Sequence, residues 1–259
     1  MNWHRLSPPI LTLLVFLLSQ GVGGAILFLL GVRMESITIP SLVLMTVNIV
    51  AVLCCHFFLH NIRFSTAFDV SSINWHPGML AIVGGICGAL GMAILANDVE
   101  LPDEVIKLQL AMSHNLWGLF TLIIVGPIAE ELLFREAIAG EMLRRGANPW
   151  VAIVVSAMAF SVMHLNLAQG LYALPIGLMF GVIYYKTGNV ILTSLLHIVN
   201  NYIAAAQLFT MGKDAVDFSF AELFGSDLAA YAIMVGLEVL CIILMIEFWN
   251  GYSAKKSKA

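Results

Sequence analysis

An all-α, polytopic membrane protein is the fold class that this 259-residue sequence predicts, with about eight transmembrane helices in one bundle. Of its residues, 60% are hydrophobic and only 11% are charged, and the mean hydropathy is +0.94. A soluble domain carries about a quarter charged residues, so this composition indicates a chain that folds in lipid. Apolar segments of about 17–25 residues, the length that crosses a hydrocarbon core of about 30 Å, recur along the whole sequence. These observations exclude a soluble enzyme.

Eight apolar segments form the predicted bundle, and no linker long enough to separate two domains divides them. The sequence therefore predicts one integral membrane domain over residues 1–259. The first segment is longer than the apolar core of a signal peptide and is interpreted as an uncleaved helix. Two G-x-x-x-G motifs, at Gly84/Gly88 and Gly177/Gly181, predict close helix crossings. The eight segments are Ile10–Leu30, Pro40–Leu59, Pro77–Ala96, Asn115–Leu143, Trp150–Leu165, Gln169–Tyr185, Val190–Leu208 and Leu228–Phe248.

The charge distribution predicts the partners and the orientation. A formal net charge of −4 leaves no basic surface for phosphate contacts, so nucleic acid is excluded as a partner and membrane lipid is expected instead. Lys and Arg concentrate on one side of the predicted bundle, which by the positive-inside rule predicts a multi-pass protein with both termini cytoplasmic. The plasma (inner) membrane is the expected location, although the charge distribution does not identify the membrane. The inside residues are Arg5, Arg63, Arg144, Arg145, Lys186, Lys255, Lys256 and Lys258, against Arg33, Lys107 and Lys213 outside.

The fourth predicted span differs from the others because it carries five charged side chains: Glu130, Glu131, Arg135, Glu136 and Glu141. A charge at membrane depth costs at least about 2.5–3.5 kcal/mol on insertion scales, so each needs compensation. Glu131 and Arg135 lie four residues apart with the acid first, which favours a structural ion pair. Glu130 projects about 100° round the helix from Glu131 and has no such partner, which predicts that it faces another helix or a water-filled cavity.

Two further features of this span bear on its structure. Pro127 cannot donate a backbone hydrogen bond, so it is predicted to kink the helix and free carbonyls that water or a neighbouring helix must satisfy. Glu136 and Glu141 lie nearer the inner end and are expected to be interfacial, with Glu141 paired to Arg144 or Arg145.

Two of the seven histidines fall in later spans. His164 closes the fifth predicted helix, and His197 lies in the seventh, one turn before Asn201. A lone histidine in an apolar helix is more often structural than catalytic, but Asn201 on the same face supplies a second donor. With a helical rise of about 1.5 Å per residue, these three side chains and Glu130 fall between the inner face and the midplane, within reach of one cavity. A carboxylate and an imidazole there would deprotonate a water, while donors would stabilise an oxyanion.

These motifs resemble those of the CPBP intramembrane proteases, the family of CAAX proteases and bacteriocin-processing enzymes that is also called Abi and includes the type II CAAX prenyl endopeptidases. The family pattern is E-E-x-x-x-R, F-x-x-x-H and H-x-x-x-N or D, on separate transmembrane helices. The sequence contains all three in order, as Glu130-Glu131-x-x-x-Arg135, Phe160-x-x-x-His164 and His197-x-x-x-Asn201. The resemblance covers about residues 113–209, which would be the catalytic core.

The resemblance implies an intramembrane endopeptidase that hydrolyses a peptide bond in a membrane-anchored or lipid-modified, CAAX-like protein or peptide. It implies that Glu130 and His164 activate the water and that His197 and Asn201 stabilise the oxyanion. Support for this geometry would come from Glu131, Arg135 and Phe160.

The family is often classed among the metalloendopeptidases, and Glu130, His164 and His197 are the expected ligands if Zn²⁺ binds. The sequence lacks the H-E-x-x-H helix of recognisable zinc peptidases, which favours a site without an obligatory metal. Two other functions stay open at this stage. Buried Glu and His relays also serve proton- or cation-coupled transporters, and a polar cluster that only specifies helix packing would suit a non-proteolytic membrane immunity or scaffold protein.

Overall fold

Helices and short connections make up the computed structural model, which describes residues 3–32, 37–97, 99, 101–215 and 218–252 and contains no strand in those ranges. Short 3₁₀ turns cover Val70–Ser72 and Gly212–Ala215. The α-helices are α1 (Trp3–Leu29), α2 (Thr38–Phe57), α3 (Phe64–Ala67), α4 (Trp75–Ala96), α5 (Asp103–Ser113), α6 (Leu116–Arg144), α7 (Pro149–Val162), α8 (Leu167–Thr187), α9 (Ile191–Met211), α10 (Phe220–Phe224) and α11 (Asp227–Gly251).

Within the described part of the chain, 7 helices are long and apolar enough to cross a membrane: α1 from Pro9 onward, α2, α4, α6, α8, α9 and α11. The predicted all-α polytopic bundle is therefore confirmed, and the chain is an integral membrane protein. The orientation stays a prediction, since length and hydropathy identify spans without their direction. Four of the residues on which it is based, Arg33, Lys255, Lys256 and Lys258, lie outside the described residues.

The remaining predicted span, Trp150–Leu165, is the shorter helix α7. Its 14 residues reach only about 21 Å at 1.5 Å per residue, less than the hydrocarbon core. The helix ends early because the chain turns at Leu165, which has a positive φ of 56°. Asn166 then caps the next helix by accepting a hydrogen bond from the backbone N–H of Gln169 at 2.9 Å. His164 consequently lies in a turn between α7 and α8.

Close helix pairs build the bundle, the most extensive being α4 with α11, α7 with α8, and α1 with α2. Both glycine motifs lie at such crossings, as predicted. A Cβ atom on Gly88 would come within 2.8 Å of Cys241 Sγ on α11, and one on Gly181 within 2.9 Å of Ile153 Cγ2 on α7. The absence of side chains at these positions therefore permits the close approach of the helices.

Helix α6 runs through the middle of the bundle, in contact with α1, α2, α7, α8 and α9. All ten residues from Glu131 to Gly140 are buried. Phe134 packs edge-on against Phe16 of α1 and Phe160 of α7, with ring centroids 6.1 and 5.4 Å apart. The charged run thus lies inside protein rather than against lipid, which explains how the membrane accommodates it.

Candidate active site

Helix α6 departs from α-helical hydrogen bonding on both sides of Glu130. The segments Thr121–Val125 and Glu131–Gly140 are π-helical and flank a single α-helical turn, Gly126–Glu130. In a π-helix the carbonyl of each residue bonds the N–H five positions later. The partner of the Leu122 carbonyl would be position 127, which is proline and has no N–H. Pro127 therefore frees this carbonyl, as predicted.

Side chains of neighbouring helices satisfy carbonyls of both π-helical segments. Asn201 Nδ2 on α9 donates to the carbonyl of Leu122 at 3.0 Å. Ser156 Oγ on α7 donates to the carbonyl of Phe134 at 2.7 Å, in a fully buried setting. Hydrogen bonds thus connect α6 to both α9 and α7. Glu130 lies between the two π-helical segments that make these bonds.

The imidazole of His197 lies between two consecutive carboxylates of α6. Its Nδ1 donates to Glu131 Oε1 at 3.0 Å, and its Nε2 lies 3.7 Å from Glu130 Oε2. The two carboxylates differ in access, since the Glu131 side chain is 0% exposed and that of Glu130 is 29% exposed. Glu131 therefore orients the ring, and Glu130 is the carboxylate that open space reaches.

The predicted ion pair of Glu131 and Arg135 is present, with Nε and Oε2 3.2 Å apart and both side chains 0% exposed. The contact is electrostatic rather than a well-directed hydrogen bond, because neither atom has a partner in good hydrogen-bond geometry. The guanidinium also lies 4.5 Å from the centre of the Phe160 ring and 5.4 Å from that of Phe180. Aromatic faces on two sides thus hold a cation that water does not reach.

Phe160 lies between the two histidines of the candidate site. Its ring meets those of His164 and His197 edge-on, with centroids 5.0 and 5.6 Å apart. His164 is half-buried, and its Nδ1 donates to the carbonyl of Phe160 at 2.9 Å. This bond leaves the opposite ring nitrogen, Nε2, as the acceptor.

The structure thus brings His197 close to both Glu130 and Glu131, whereas among the described side chains His164 is connected to them only through the ring of Phe160, which both histidines contact. Asn201 is a separate case. One N–H of its amide is used on the Leu122 carbonyl, so only the second is free to be the predicted oxyanion donor.

Residues 112–203 match the family model of Rce1-like type II CAAX prenyl endopeptidases. Every motif residue described above lies in that stretch, so the resemblance predicted from the motifs is confirmed. The chain is 28% identical over 157 residues to CAAX prenyl protease 2 of Arabidopsis thaliana, an alignment covering 53% of this chain and 49% of that protein. It is 30% identical over 86 residues to YdiL of Bacillus subtilis (strain 168), described as a membrane peptidase, covering 33% and 35% respectively.

The chain thus spans about half the length of the first of these relatives, 49%, and about a third of the second, 35%. No solved structure matches the chain.

The Rce1-like segment does not present the zinc site that the trio Glu130, His164 and His197 was expected to form if a metal binds. Among the described residues, no group of three His, Cys, Asp or Glu side chains is arranged to hold a metal ion. Of the three expected ligands, Glu130 and His197 are close together, with Oε2 and Nε2 3.7 Å apart, while the ring of His164 contacts that of Phe160. The placed side chains therefore do not fit a three-ligand centre.

A second polar cluster lies further along the Rce1-like segment. Glu136, which was expected at the membrane interface, is enclosed by protein, because only 1% of it is exposed. It accepts hydrogen bonds from Tyr184 Oη at 2.5 Å and Arg144 Nη1 at 2.8 Å. Glu141 pairs as predicted, with Arg144 Nε at 2.8 Å and Arg145 Nε at 2.7 Å. Sequence spacing could predict only the pairs within one helix. The contact of Tyr184 with Glu136 was not predictable in this way, because Tyr184 lies on another helix, α8.

An apolar cavity of about 380 Å³ lies between α4, α8 and α11, away from this chemistry. Its lining includes Gly88, Pro175 and Trp249, and none of the candidate active-site residues. Glu238 also borders it, with a buried Oε1 that has no hydrogen-bond partner among the described side chains. The cavity is therefore separate from the candidate active site.

Proposed function

We propose that the protein is an intramembrane endopeptidase that hydrolyses a peptide bond in a membrane-anchored or lipid-modified, CAAX-like protein or peptide. The observation that carries the proposal is the contact of one imidazole, His197, with two consecutive carboxylates inside the bundle. The Rce1-like match over the same residues and the name of the Arabidopsis relative support a prenylated protein as the substrate class.

In this proposal Glu130 is the general base. Its carboxylate is the more exposed of the two, so it can reach a water as well as Nε2 of His197. The water oxygen attacks the scissile carbonyl carbon, its proton passes to Glu130, and the proton then goes to the leaving amine as the C–N bond breaks. His164 holds the same water through Nε2, the ring nitrogen that its helix-end hydrogen bond leaves as an acceptor.

His197 and Asn201 would stabilise the oxyanion. Because Nδ1 of His197 donates to Glu131, the nitrogen that would donate to the developing charge is Nε2, and this role requires a proton on both ring nitrogens. Asn201 contributes the N–H that the Leu122 carbonyl does not use. Substrate would enter from the cytoplasmic side, where both termini are also placed in this proposal.

The proposal is tested by mapping new N- and C-termini in membranes that express wild-type protein, Glu130→Gln or His164→Ala at equal abundance. We expect cleavage products that are present with the wild type and absent with both variants. Termini that persist in both variants would contradict the proposal. Glu130-dependent flux of a solute or ion into proteoliposomes, without proteolysis, would replace it with the transporter alternative. If cells that express Glu130→Gln show the same phenotype as cells that express the wild type, the alternative of a non-proteolytic immunity or scaffold protein would be favoured.

The reaction is also expected to need no metal, since the described side chains include no three-ligand cluster. Turnover of purified protein should stay within about twofold after treatment with 1,10-phenanthroline and dialysis. The control is a zinc peptidase treated in parallel, which loses its activity when its metal is removed. Loss of turnover that added Zn²⁺ restores would overturn this part of the proposal.

A further inference from the structure

A chain of hydrogen bonds connects three helices behind the candidate active site. Tyr172 Oη on α8 donates to Asn200 Oδ1 on α9 at 2.6 Å. Asn200 Nδ2 donates to Asn201 Oδ1 at 3.3 Å, and Asn201 Nδ2 donates to the Leu122 carbonyl of α6 at 3.0 Å. The last acceptor is the carbonyl that Pro127 deprives of its backbone partner. The chain therefore ends on the π-helical segment that precedes Glu130.

The direction of the bonds is fixed at the α6 end, because the Leu122 carbonyl can only accept. An asparagine amide has nearly the same shape in its two orientations, which exchange two donors for an acceptor. The Asn201 NH₂ group must face α6, so its oxygen faces Asn200 and accepts from the Asn200 NH₂ group. The Asn200 oxygen is then left for the Tyr172 hydroxyl, which donates to it at 2.6 Å and also lies 3.4 Å from the Ala89 carbonyl of α4. Without that hydroxyl the Asn200 oxygen loses its donor, and of the described contacts only the 3.3 Å bond to Asn201 then holds the Asn200 amide in this orientation.

We propose that Tyr172 and Asn200 are positioning residues for the peptidase site, acting through Asn201. They keep its NH₂ group toward α6, with one N–H on the Leu122 carbonyl and the second directed to the oxyanion. The inference rests on the proposed function, and it assigns a role to two residues outside the three motifs. Both lie within membrane-spanning helices, where a polar side chain needs a partner.

The test is steady-state kinetics on purified, lipid-reconstituted protein with a lipidated peptide. Tyr172→Phe removes only the hydroxyl, and we expect kcat to fall about 5–10-fold, the order of one lost hydrogen bond. KM should stay within twofold because substrate contacts are unchanged. The matched control is Tyr185→Phe, the same deletion on the same helix, where the ring stacks on Trp249 at the bundle surface. Its kcat is expected to equal that of the wild type.

A double-mutant cycle separates a relay from independent packing. Asn200→Leu should lower kcat at least as much as Tyr172→Phe. The double variant should be no slower than Asn200→Leu alone, because in the relay Tyr172 reaches Asn201 through Asn200, and its other hydrogen bond, to the Ala89 carbonyl at 3.4 Å, leads away from the site. Multiplied effects in the double variant would overturn the relay, as would a wild-type kcat in Tyr172→Phe. Melting temperatures of all variants are measured alongside the kinetics. If a substitution only destabilises the fold, the fraction of active protein falls while the kcat per folded molecule stays at the wild-type value.

The results that would contradict the relay differ from those that would contradict the proposed function. If Glu130→Gln keeps full activity, the proposed function is wrong. If Glu130→Gln is inactive while Tyr172→Phe has the wild-type kcat, the function stands and the relay is rejected.

Discussion

Replacing Glu130 by glutamine is expected to lower kcat by about 10²–10⁴-fold, the factor that a positioned general base contributes. Glutamine has nearly the same size and can still contact His197 Nε2, which lies 3.7 Å from the carboxylate, but it cannot accept the proton of the water. KM should change little, because the substitution removes an interaction of the transition state rather than of the bound substrate. Initial rates with a lipidated peptide in reconstituted membranes measure both constants.

Glu238→Gln is the matched control for this prediction. It makes the same change in another membrane-spanning helix, beside the apolar cavity rather than beside His197. Its kcat is expected to be unchanged. Combining Glu130→Gln with His164→Ala should cost hardly more than Glu130→Gln alone, since both side chains act on one water. Equal losses in Glu130→Gln and Glu238→Gln would indicate that membrane carboxyl groups matter only for folding.

Replacing Arg135 by leucine is expected to lower the free energy of unfolding by about 3–5 kcal/mol, the cost of leaving a buried charge without its partner. Glu131 is 0% exposed, so without the guanidinium its carboxylate keeps only the hydrogen bond from His197 to Oε1, and Oε2 is left buried without an opposite charge. The Phe160 and Phe180 rings also lose the cation that they face. Denaturant unfolding in detergent, followed by tryptophan fluorescence, measures the change.

A second substitution separates the stability of this pair from its use in the site. Glu131→Gln combined with Arg135→Leu removes both charges, and most of the lost stability should return. Activity should stay low, because His197 Nδ1 then faces a neutral amide instead of a carboxylate. The control is Lys107→Ala, which breaks an exposed pair with Glu104 on α5 and should change stability by less than about 1 kcal/mol. A single Arg135→Leu variant as stable as the control would contradict the prediction.

The helical bundle was predictable because lipid imposes a simple requirement on length and hydropathy, and seven predicted spans follow it. The pair of Glu131 with Arg135 was predictable for a similar reason, since it depends only on spacing within one helix. The predicted span Trp150–Leu165 is an exception, because it forms a helix too short to be counted among those that could cross the membrane. Whether an apolar segment spans the membrane or ends in a turn depends on one backbone conformation, at Leu165, that hydropathy does not report.

The glycine motifs predicted two close helix crossings, but the sequence did not predict which polar side chains meet across helices. The approach of His197 to both glutamates, the bond from Asn201 to Leu122 and the burial of Glu136 all depend on how α6, α8 and α9 cross. Pro127 did predict that a carbonyl would lack its backbone partner. The spacing of residues in the sequence could not predict that Asn201 would donate to it. The relay from Tyr172 was missed for the same reason, because its first bond joins two helices.

The π-helical segments of α6 decide where the site tolerates a change in the length of the chain. A π-helical turn holds one residue more than the α-helical pattern requires. Deleting one residue from Thr121–Val125 would let α-helical bonding resume and leave the helical phase on the two sides nearly unchanged. Deleting one residue from the α-helical turn before Glu130, Gly126–Ala129, would instead change the phase by about 100°. If the outer end of the helix stayed in place, Glu130 and Glu131 would then rotate away from His197. The sequence of such a deletion variant would still contain all three motifs, although its two carboxylates would no longer face His197 on α9.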